Sequence, residues 1–298
     1  MNSLSSAFVV GENLLLARLD GAKWIVDAPP AGIPTTRPLR GVWSDGPKNA
    51  WAVGPGQGGS VFRFDGSGWS TVPTGVSENW QAVWGTGSEV WITGNTTIVH
   101  CKAPTACATE SSGGSNTLFS IWGTSNTNIF AVGGSGRIVR FNGATWSSMT
   151  SPTSRTLLRV AGSGPSDVWA VGDSVVLHFD GAQWTTVVDS LGDLRNHIGR
   201  GGLLQNGGPN NVGILARGPK EMYFTSNDGN VDRWNGSRWS NMNLSGFRHA
   251  MMGISGIKPD CALGVTETLS DAASPSLYRG VGPSGCLLSP MTPPSSWP

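Results

Sequence analysis

Side chains that can carry a positive charge recur at one position of a repeated sequence pattern. Each lies immediately before the Phe, or its replacement, that ends a segment such as IVRF (138–141) or VVLHF (175–179). These side chains are Arg18, Arg63, His100, Arg140, His178, Arg233 and Arg279. They could bind anionic groups or glycans through charge-assisted hydrogen bonds, and the ligand would then be repeating or multivalent. The alternative is that they stack on neighbouring Trp rings or pair with the Asp of a turn.

A second basic group lies in the segment DSLGDLRNHIGRGGLLQNGGPN (189–210), which contains Arg195, His197 and Arg200. Long loops on rigid scaffolds often carry binding residues. The segment is therefore a candidate binding element, and a tolerated insertion is the alternative. Its glycines do not form a nucleotide-binding fingerprint, because no strand–turn–helix pattern surrounds them.

The cysteines indicate disulfides rather than a metal site. Cys101 and Cys107 stand where other copies of the pattern have a Phe and a Trp flanking an Asp-Gly dipeptide, so they are expected to face each other across a hairpin and form a bridge. Cys261 and Cys286 form the other pair, although their bridge requires a turn that folds over. Two bridges indicate an oxidising compartment, namely the periplasm, the cell surface or the medium. No cysteine or histidine spacing matches a metal site, and no cofactor is predicted.

The pattern returns at regular intervals along the chain. It is anchored by an aromatic residue in the phrase VWAVG or its variants, at Phe8, Trp51, Trp91, Phe130, Trp169, Tyr223 and, more loosely, Ala262. The successive spacings are 43, 40, 39, 39, 54 and 39 residues, and a four-stranded propeller blade needs about 40 to 50.

Each copy contains four short segments separated by turn residues. The third and fourth segments are joined by an Asp-Gly or Asn-Gly dipeptide, which favours a two-residue type I′ turn with positive φ at both central positions. A Trp three residues after the Gly opens the fourth segment. The dipeptides are Asp20-Gly21, Asp65-Gly66, Asn142-Gly143, Asp180-Gly181 and Asn235-Gly236.

These elements predict an all-β chain that folds as one β-propeller domain over residues 1–298, with seven blades of four antiparallel strands. The units cover about 6–29, 39–74, 79–110, 118–150, 157–188, 211–243 and 248–290, with the insertion 189–210 and a Pro-rich tail 291–298. The first unit lacks its first segment. It is therefore expected to have three strands or to be completed loosely by Ser3–Ser6 and the tail, and six complete blades plus a fragment is the alternative.

The phrases Val83-Trp84-Gly85, Asp167–Gly172 and Phe179-Asp180-Gly181 with Trp184 resemble the repeats of bacterial Asp-box or BNR-like propellers, in particular the photosystem assembly-factor type. A fainter similarity links them to tectonin-type lectin propellers, which bind glycans. The Asp-box resemblance also implies sialidase chemistry, which needs an arginine cluster, a Tyr–Glu pair and an acidic proton donor. The chain has only Tyr223 and Tyr278 and no evident pair of facing carboxyl groups, so an enzyme is not predicted.

The amino-acid composition argues against some classes of binding partner. Lys and Arg number 20 against 19 Asp and Glu, so no global field attracts nucleic acid. No apolar run has the length of a membrane span, and the first residues do not match a signal peptide. The 14 tryptophans mostly fill repeated positions and are expected to pack between blades.

The sequence therefore predicts a non-enzymatic protein-binding or scaffolding propeller in an extracytoplasmic bacterial assembly. A glycan-binding lectin with repeated inter-blade sites is the alternative, and an Asp-box glycoside hydrolase is a minor one. A scaffold predicts one face with a large apolar patch, whereas a lectin predicts several similar exposed pockets.

Overall fold

The computed structural model describes residues 6–20, 23–56, 60–102, 106–173, 175–187, 213–225, 231–241, 251–258, 261–266, 276–279 and 289–291. The insertion with Arg195, His197 and Arg200 lies outside the described residues, as do Cys286 and the tail after Met291. Within the described ranges, no helix is long and apolar enough to cross a membrane.

The described strands form seven sheets, which we number in chain order. Sheet 1 contains β1 (Ser6–Val10), β2 (Leu16–Asp20) and β3 (Lys23–Val26). Sheet 2 contains β4 (Gly41–Gly46), β5 (Asn49–Gly54), β6 (Ser60–Phe64) and β7 (Trp69–Thr71). Sheet 3 contains β8 (Ala82–Thr86), β9 (Glu89–Thr93), β10 (Ile98–Lys102) and β11 (Ala106–Glu110). Sheet 4 contains β12 (Leu118–Ser125), β13 (Asn128–Gly133), β14 (Ile138–Phe141) and β15 (Trp146–Ser148).

Three further sheets complete the set. Sheet 5 contains β16 (Leu157–Gly164), β17 (Asp167–Gly172), β18 (Val175–Phe179) and β19 (Trp184–Thr186). Sheet 6 contains β20 (Ile214–Gly218), β21 (Glu221–Thr225), β22 (Val231–Trp234) and β23 (Trp239–Asn241). Sheet 7 contains β24 (Met251–Lys258), β25 (Cys261–Thr266), β26 (Ser276–Arg279) and β27 (Ser289–Met291).

Every sheet is an antiparallel meander whose strands pair in chain order. Six sheets have four strands, and sheet 1 has three in the described part of the chain. Repeated four-stranded meanders are the blades of a β-propeller, so the predicted fold class is confirmed. One anchor was placed a residue too early, because Leu263 and not Ala262 pairs with Arg279 in sheet 7.

Sheets 1 to 4 belong to one compact unit, apart from residues 134–137, and sheets 5 to 7 belong to a second. In the first unit, apolar faces of consecutive sheets pack on each other. Leu16 of sheet 1 packs with Phe62 and Trp69 of sheet 2, and Trp51 of sheet 2 packs with Ile92 of sheet 3. These repeated aliphatic and aromatic residues bury the faces that a single sheet would leave in water. A single domain over the whole chain stays a prediction.

The predicted type I′ turns are wrong for the third hairpin of sheets 2, 4, 5 and 6. Phe64 pairs directly with Trp69, so a four-residue loop joins β6 to β7. Asp65 Oδ1 accepts hydrogen bonds from the backbone N–H groups of Ser67 (2.8 Å) and Gly68 (3.2 Å), and only Gly66 has a positive φ (98°). These side-chain hydrogen bonds stabilise the loop, so a second residue with positive φ is not required. Hydrogen bonds from the Ser67 side chain and backbone also lower the pKa of Asp65 to about 2.

Candidate ligand-binding crevice at an unpaired arginine

The repeated cationic residues lie directly opposite the aromatic anchors. Across the second and third strands, or β1 and β2 in sheet 1, the paired residues are Phe8 and Arg18, Trp51 and Arg63, Trp91 and His100, Phe130 and Arg140, Trp169 and His178, and Tyr223 and Arg233. Residues that face each other in a ladder project on the same side of the sheet. Each cation therefore stands beside an aromatic ring. The Arg279 side chain lies outside what the structure describes.

In sheet 3, His100 is enclosed by aromatic and acidic groups. Its ring stacks on Trp91 with 4.1 Å between centroids, and its nitrogens lie 2.9 Å from Glu110 Oε1 and 3.0 Å from Glu89 Oε2. Trp146 of sheet 4 donates to Glu110 Oε2 at 2.7 Å. Burial opposes ionisation of Glu110, but the hydrogen bonds from His100 and Trp146 outweigh it and lower the pKa of this carboxyl.

Sheet 5 builds the same arrangement with different residues. His178 Nε2 lies 2.7 Å from Asp167 Oδ1, and its ring centroid lies 4.2 Å from that of Trp169. Trp169 Nε1 donates to Asp167 Oδ1 at 3.0 Å, and Ser163 Oγ donates to Oδ2. Burial raises the pKa of Asp167, yet the hydrogen bonds from His178, Ser163 and Trp169 together hold it below its ordinary value.

In sheets 1, 4 and 6 an arginine replaces the histidine. Arg18 Nε donates to Asp27 Oδ1 at 3.1 Å. Arg140 Nε donates to Asn128 Oδ1 at 2.9 Å, and Arg233 Nη2 lies 3.8 Å from Glu221 Oε1.

The partners in sheets 3 to 6 share a position that the sequence analysis missed. They are the residues that begin the second strand, two before the aromatic anchor: Glu89, Asn128, Asp167 and Glu221. The expected partner, the Asp of a turn, is found in sheet 1, where Arg18 Nη1 donates to Asp20 Oδ2 at 3.3 Å. The available signal was the polar character of the partner position in the first six copies, since period-two alternation places it on the same face as the anchor.

Arg63 in sheet 2 departs from this arrangement. The residue at the partner position is Asn49, whose Nδ2 donates to Asp45 Oδ1 at 2.9 Å. Arg63 Nε and Asn49 Oδ1 are both buried and have no hydrogen-bond partner. Arg233 Nε of sheet 6 also lacks a hydrogen bond, but its guanidinium keeps the ion pair with Glu221. Sheet 2 leaves both a cationic donor and an amide acceptor unsatisfied beside Trp51, which costs free energy unless another group supplies the contacts.

Arg63 and Asn49 open into a crevice of about 260 Å³ that Trp51, Gly87 and Ser88 complete. Gly87 and Ser88 form the exposed turn between β8 and β9 of the neighbouring sheet. Trp51 is only 2% exposed, so its ring forms a wall rather than a platform for a sugar. The crevice is thus a polar notch between sheets 2 and 3 within the first unit.

The described surface is poor in apolar groups. Among the residues with described side chains, Val76 is the only large hydrophobic one that is exposed, at 36%, and no Trp among them is classed as exposed. The described ranges contain no cluster of three or more His, Cys, Asp or Glu residues suited to a metal ion.

Solved structures with similar folds include β-propellers. The chain is similar to YCF48 bound to a D1 peptide, with a TM-score of 0.69 and 16% identity over 94% of this chain and 89% of that one. YCF48 from Cyanidioschyzon merolae gives a TM-score of 0.60 with 13% identity over 85% of each chain. The WD40 propeller domain of Doa1 gives 0.63 with 10% identity over 88% of this chain and 86% of that one.

No protein-family model and no curated protein sequence matches the chain. The likenesses to solved structures establish the fold, and the protein is a β-propeller. The resemblance to photosystem assembly-factor propellers is confirmed at that level.

Proposed function

We propose that this protein is a non-enzymatic propeller that binds a protein partner within an extracytoplasmic bacterial assembly. The observation that carries the proposal is the crevice at Arg63. There a repeated cation lacks the internal partner that its counterparts in sheets 1, 3, 4, 5 and 6 have. A rigid scaffold with an open crevice lined by an arginine and an asparagine whose Nε and Oδ1 lack internal partners is suited to binding a polar group of another molecule.

The propeller of YCF48 supports the choice of partner class. That protein has been solved with a D1 peptide bound, so a propeller of similar fold can hold a polypeptide segment. Because Asn49, Arg63 and Ser88 line the crevice, we expect the partner of the present chain to be held there mainly by polar contacts.

None of the described carboxyl groups with a clearly shifted pKa has the raised value of a general acid. A glycoside hydrolase needs a general acid whose pKa is raised. Every described carboxyl with a clearly shifted pKa is shifted downward, namely Asp65, Glu78, Glu110, Asp167 and Asp180.

The location outside the cytoplasm rests on the cysteines. Cys101 and Cys107 pair directly across β10 and β11 and form a disulfide. Such bonds persist mainly in oxidising compartments.

Photo-crosslinking in living cells tests the proposal. A photoreactive residue in place of Ser88, at the lip of the crevice, is expected to give a discrete protein adduct. The same residue in place of Ser147, which is exposed on β15, serves as the matched control and is expected to give none. Absence of a protein adduct at Ser88, together with saturable binding on a glycan array, would favour the lectin alternative instead.

A further inference from the structure

We infer that the Arg63 crevice binds a carboxylate carried by the polypeptide partner. This inference rests on the proposed function and adds the chemical group that is recognised. It follows from comparing sheet 2 with the other sheets, where the basic residue at this position contacts a carboxylate in sheets 1, 3, 5 and 6 and an amide oxygen in sheet 4.

Three other sheets carry a built-in anion at the partner position. Glu89 contacts His100, Asp167 contacts His178, and Glu221 lies 3.8 Å from Arg233. The carboxylate in each case belongs to the residue that begins the second strand. In sheet 2 the same position holds Asn49, which is neutral and turns its amide nitrogen towards Asp45. Asn128 of sheet 4 is equally neutral, but its amide oxygen accepts from Arg140. Only sheet 2, among sheets 1 to 6, leaves its arginine with neither a carboxylate nor an amide oxygen as partner.

The unsatisfied atoms define what a ligand must offer. A planar guanidinium binds a carboxylate through parallel hydrogen bonds, so a carboxylate would replace the missing internal partner of Arg63. Asn49 Oδ1 is a buried acceptor and requires a donor from the same ligand. A peptide supplies both, because every carboxylate in a polypeptide lies within a few bonds of a backbone N–H.

The dimensions of the crevice fit one end of a chain or one side chain. Its volume of about 260 Å³ is below the roughly 300 to 1,000 Å³ of pockets that enclose small molecules. The exposed turn at Gly87 and Ser88 leaves one side open, so the rest of a polypeptide can continue over the surface. The nearby Asp45 does not line the crevice, and Asn49 Nδ2 occupies its Oδ1.

The test follows the side-chain Nε–H signal of Arg63 by NMR in the full-length ¹⁵N-labelled protein. The signal is assigned by its loss in Arg63→Lys. The probes are acetyl-Gly-Gly-Ala with a free C-terminus, acetyl-Gly-Asp-Gly-amide and the neutral acetyl-Gly-Gly-Ala-amide. A saturable shift with at least one carboxylate peptide, and none with the neutral one, is expected. The peptide that binds distinguishes a C-terminal from a side-chain carboxylate.

Asn49→Glu provides a variant that should fold and yet lose the site. It copies the pair of Glu221 and Arg233 in sheet 6, so the built-in carboxylate is expected to occupy Arg63 and weaken peptide binding at least tenfold. Asn128→Glu makes the same change in sheet 4 and is expected to leave binding at Arg63 unchanged. Equal melting temperatures confirm that all variants are folded.

Three results would overturn the inference: no shift with any peptide, an equal shift with the neutral peptide, or undiminished binding by Asn49→Glu. These results are separable from failure of the proposed function. If a protein adduct forms at Ser88 and persists in Asn49→Glu, the protein binds a partner and only the carboxylate inference fails. If the peptides bind but no adduct forms in cells, the site exists and the proposed function fails.

Discussion

At the scale of single residues, the molecule repeats a small polar cluster rather than a single side chain. An aromatic ring on the second strand, a cation on the third and a polar residue two positions before the ring lie together on one face of a sheet. Glu89, Trp91 and His100 show the complete form. The carboxylate contacts the ring of His100 beside Trp91, which explains how a polar column can sit between packed sheets.

The acidic member of this cluster makes stability depend on pH. The pKa of Asp167 is below its ordinary value in the folded protein. Its contribution is therefore fully present above the unfolded pKa of about 3.9 and is lost as the pH falls through the folded pKa. We expect Asp167→Asn to lower the unfolding free energy at pH 7 by about 1 to 3 kcal/mol and to flatten its decline in acid.

Urea unfolding at several pH values between 3 and 7 measures this effect. Asp20→Asn is the control, because the Asp20 side chain is 65% exposed in its ion pair with Arg18 and such pairs contribute little. An equal loss in both variants would contradict the role given to the His178 cluster.

At the scale of strands and loops, steric contacts explain why the VWAVG phrase ends in a glycine. A Cβ on Gly172 would lie 2.0 Å from the backbone oxygen of Thr156, and one on Gly133 would lie 1.9 Å from that of Thr117. Both neighbours are backbone atoms directly before the first strand of the same sheet. The glycine therefore permits the close approach of the first strand to the end of the second.

Gly172→Ala is expected to destabilise the protein by roughly 1 to 3 kcal/mol, because the clash with Thr156 requires the backbone to shift. Gly164→Ala in the same sheet is the matched control, since nothing lies within 4 Å of its added Cβ. It should be nearly neutral. Urea unfolding of both variants measures the difference, and similar losses would show that the contact with Thr156 is not the cause.

The disulfide of sheet 3 occupies the place of an aromatic pair. Cys101 and Cys107 are cross-strand partners in the position that Phe141 and Trp146 hold in sheet 4, where the ring centroids lie 5.3 Å apart. Replacing both cysteines by serine is expected to cost about 2 kcal/mol for so short a loop.

The double change Cys101→Phe with Cys107→Trp should recover part of that loss by copying sheet 4. Thermal unfolding of the three proteins checks this expectation. If the aromatic pair gives no recovery, the two kinds of contact are not equivalent in sheet 3.

At the scale of the whole molecule, repetition made the architecture predictable. Anchors about 40 residues apart, such as Trp51 and Trp91, require a sheet of the same kind in each copy. Repetition does not determine which of two turn types a loop adopts when its residues are compatible with both. The Asp65-Gly66 dipeptide is compatible with a two-residue turn and with a four-residue loop. The hydrogen bonds accepted by the Asp65 side chain distinguish the two.

The candidate site was only partly predictable. Arg63 belongs to a column visible in the sequence, but its difference from Arg140 depends on which way a neighbouring amide points. Asn128 lies at the same position as Asn49 and does accept from its arginine. Two identical residue types therefore give one closed cluster and one open crevice, and only geometry distinguishes them.

The balanced charge of the chain makes a prediction at this same scale. With 20 Lys and Arg against 19 Asp and Glu, no long-range field should attract a polyanion. We expect no saturable binding of a 30-base-pair DNA duplex in 150 mM salt by fluorescence anisotropy. Binding at micromolar protein would show that basic residues are concentrated on one surface and would reopen nucleic acid as a partner.

The loops after the third strands also bear on how the protein ages. Asn142 and Asn235 each precede a glycine, a sequence in which the glycine nitrogen readily attacks the side-chain amide, ammonia leaves, and water opens the resulting succinimide to Asp or isoaspartate. Both loops use only Oδ1 as an acceptor, and Asp65 and Asp180 make the same contacts with a carboxylate. Conversion of either Asn to Asp would therefore change the charge of the protein while leaving the acceptor of its loop in place.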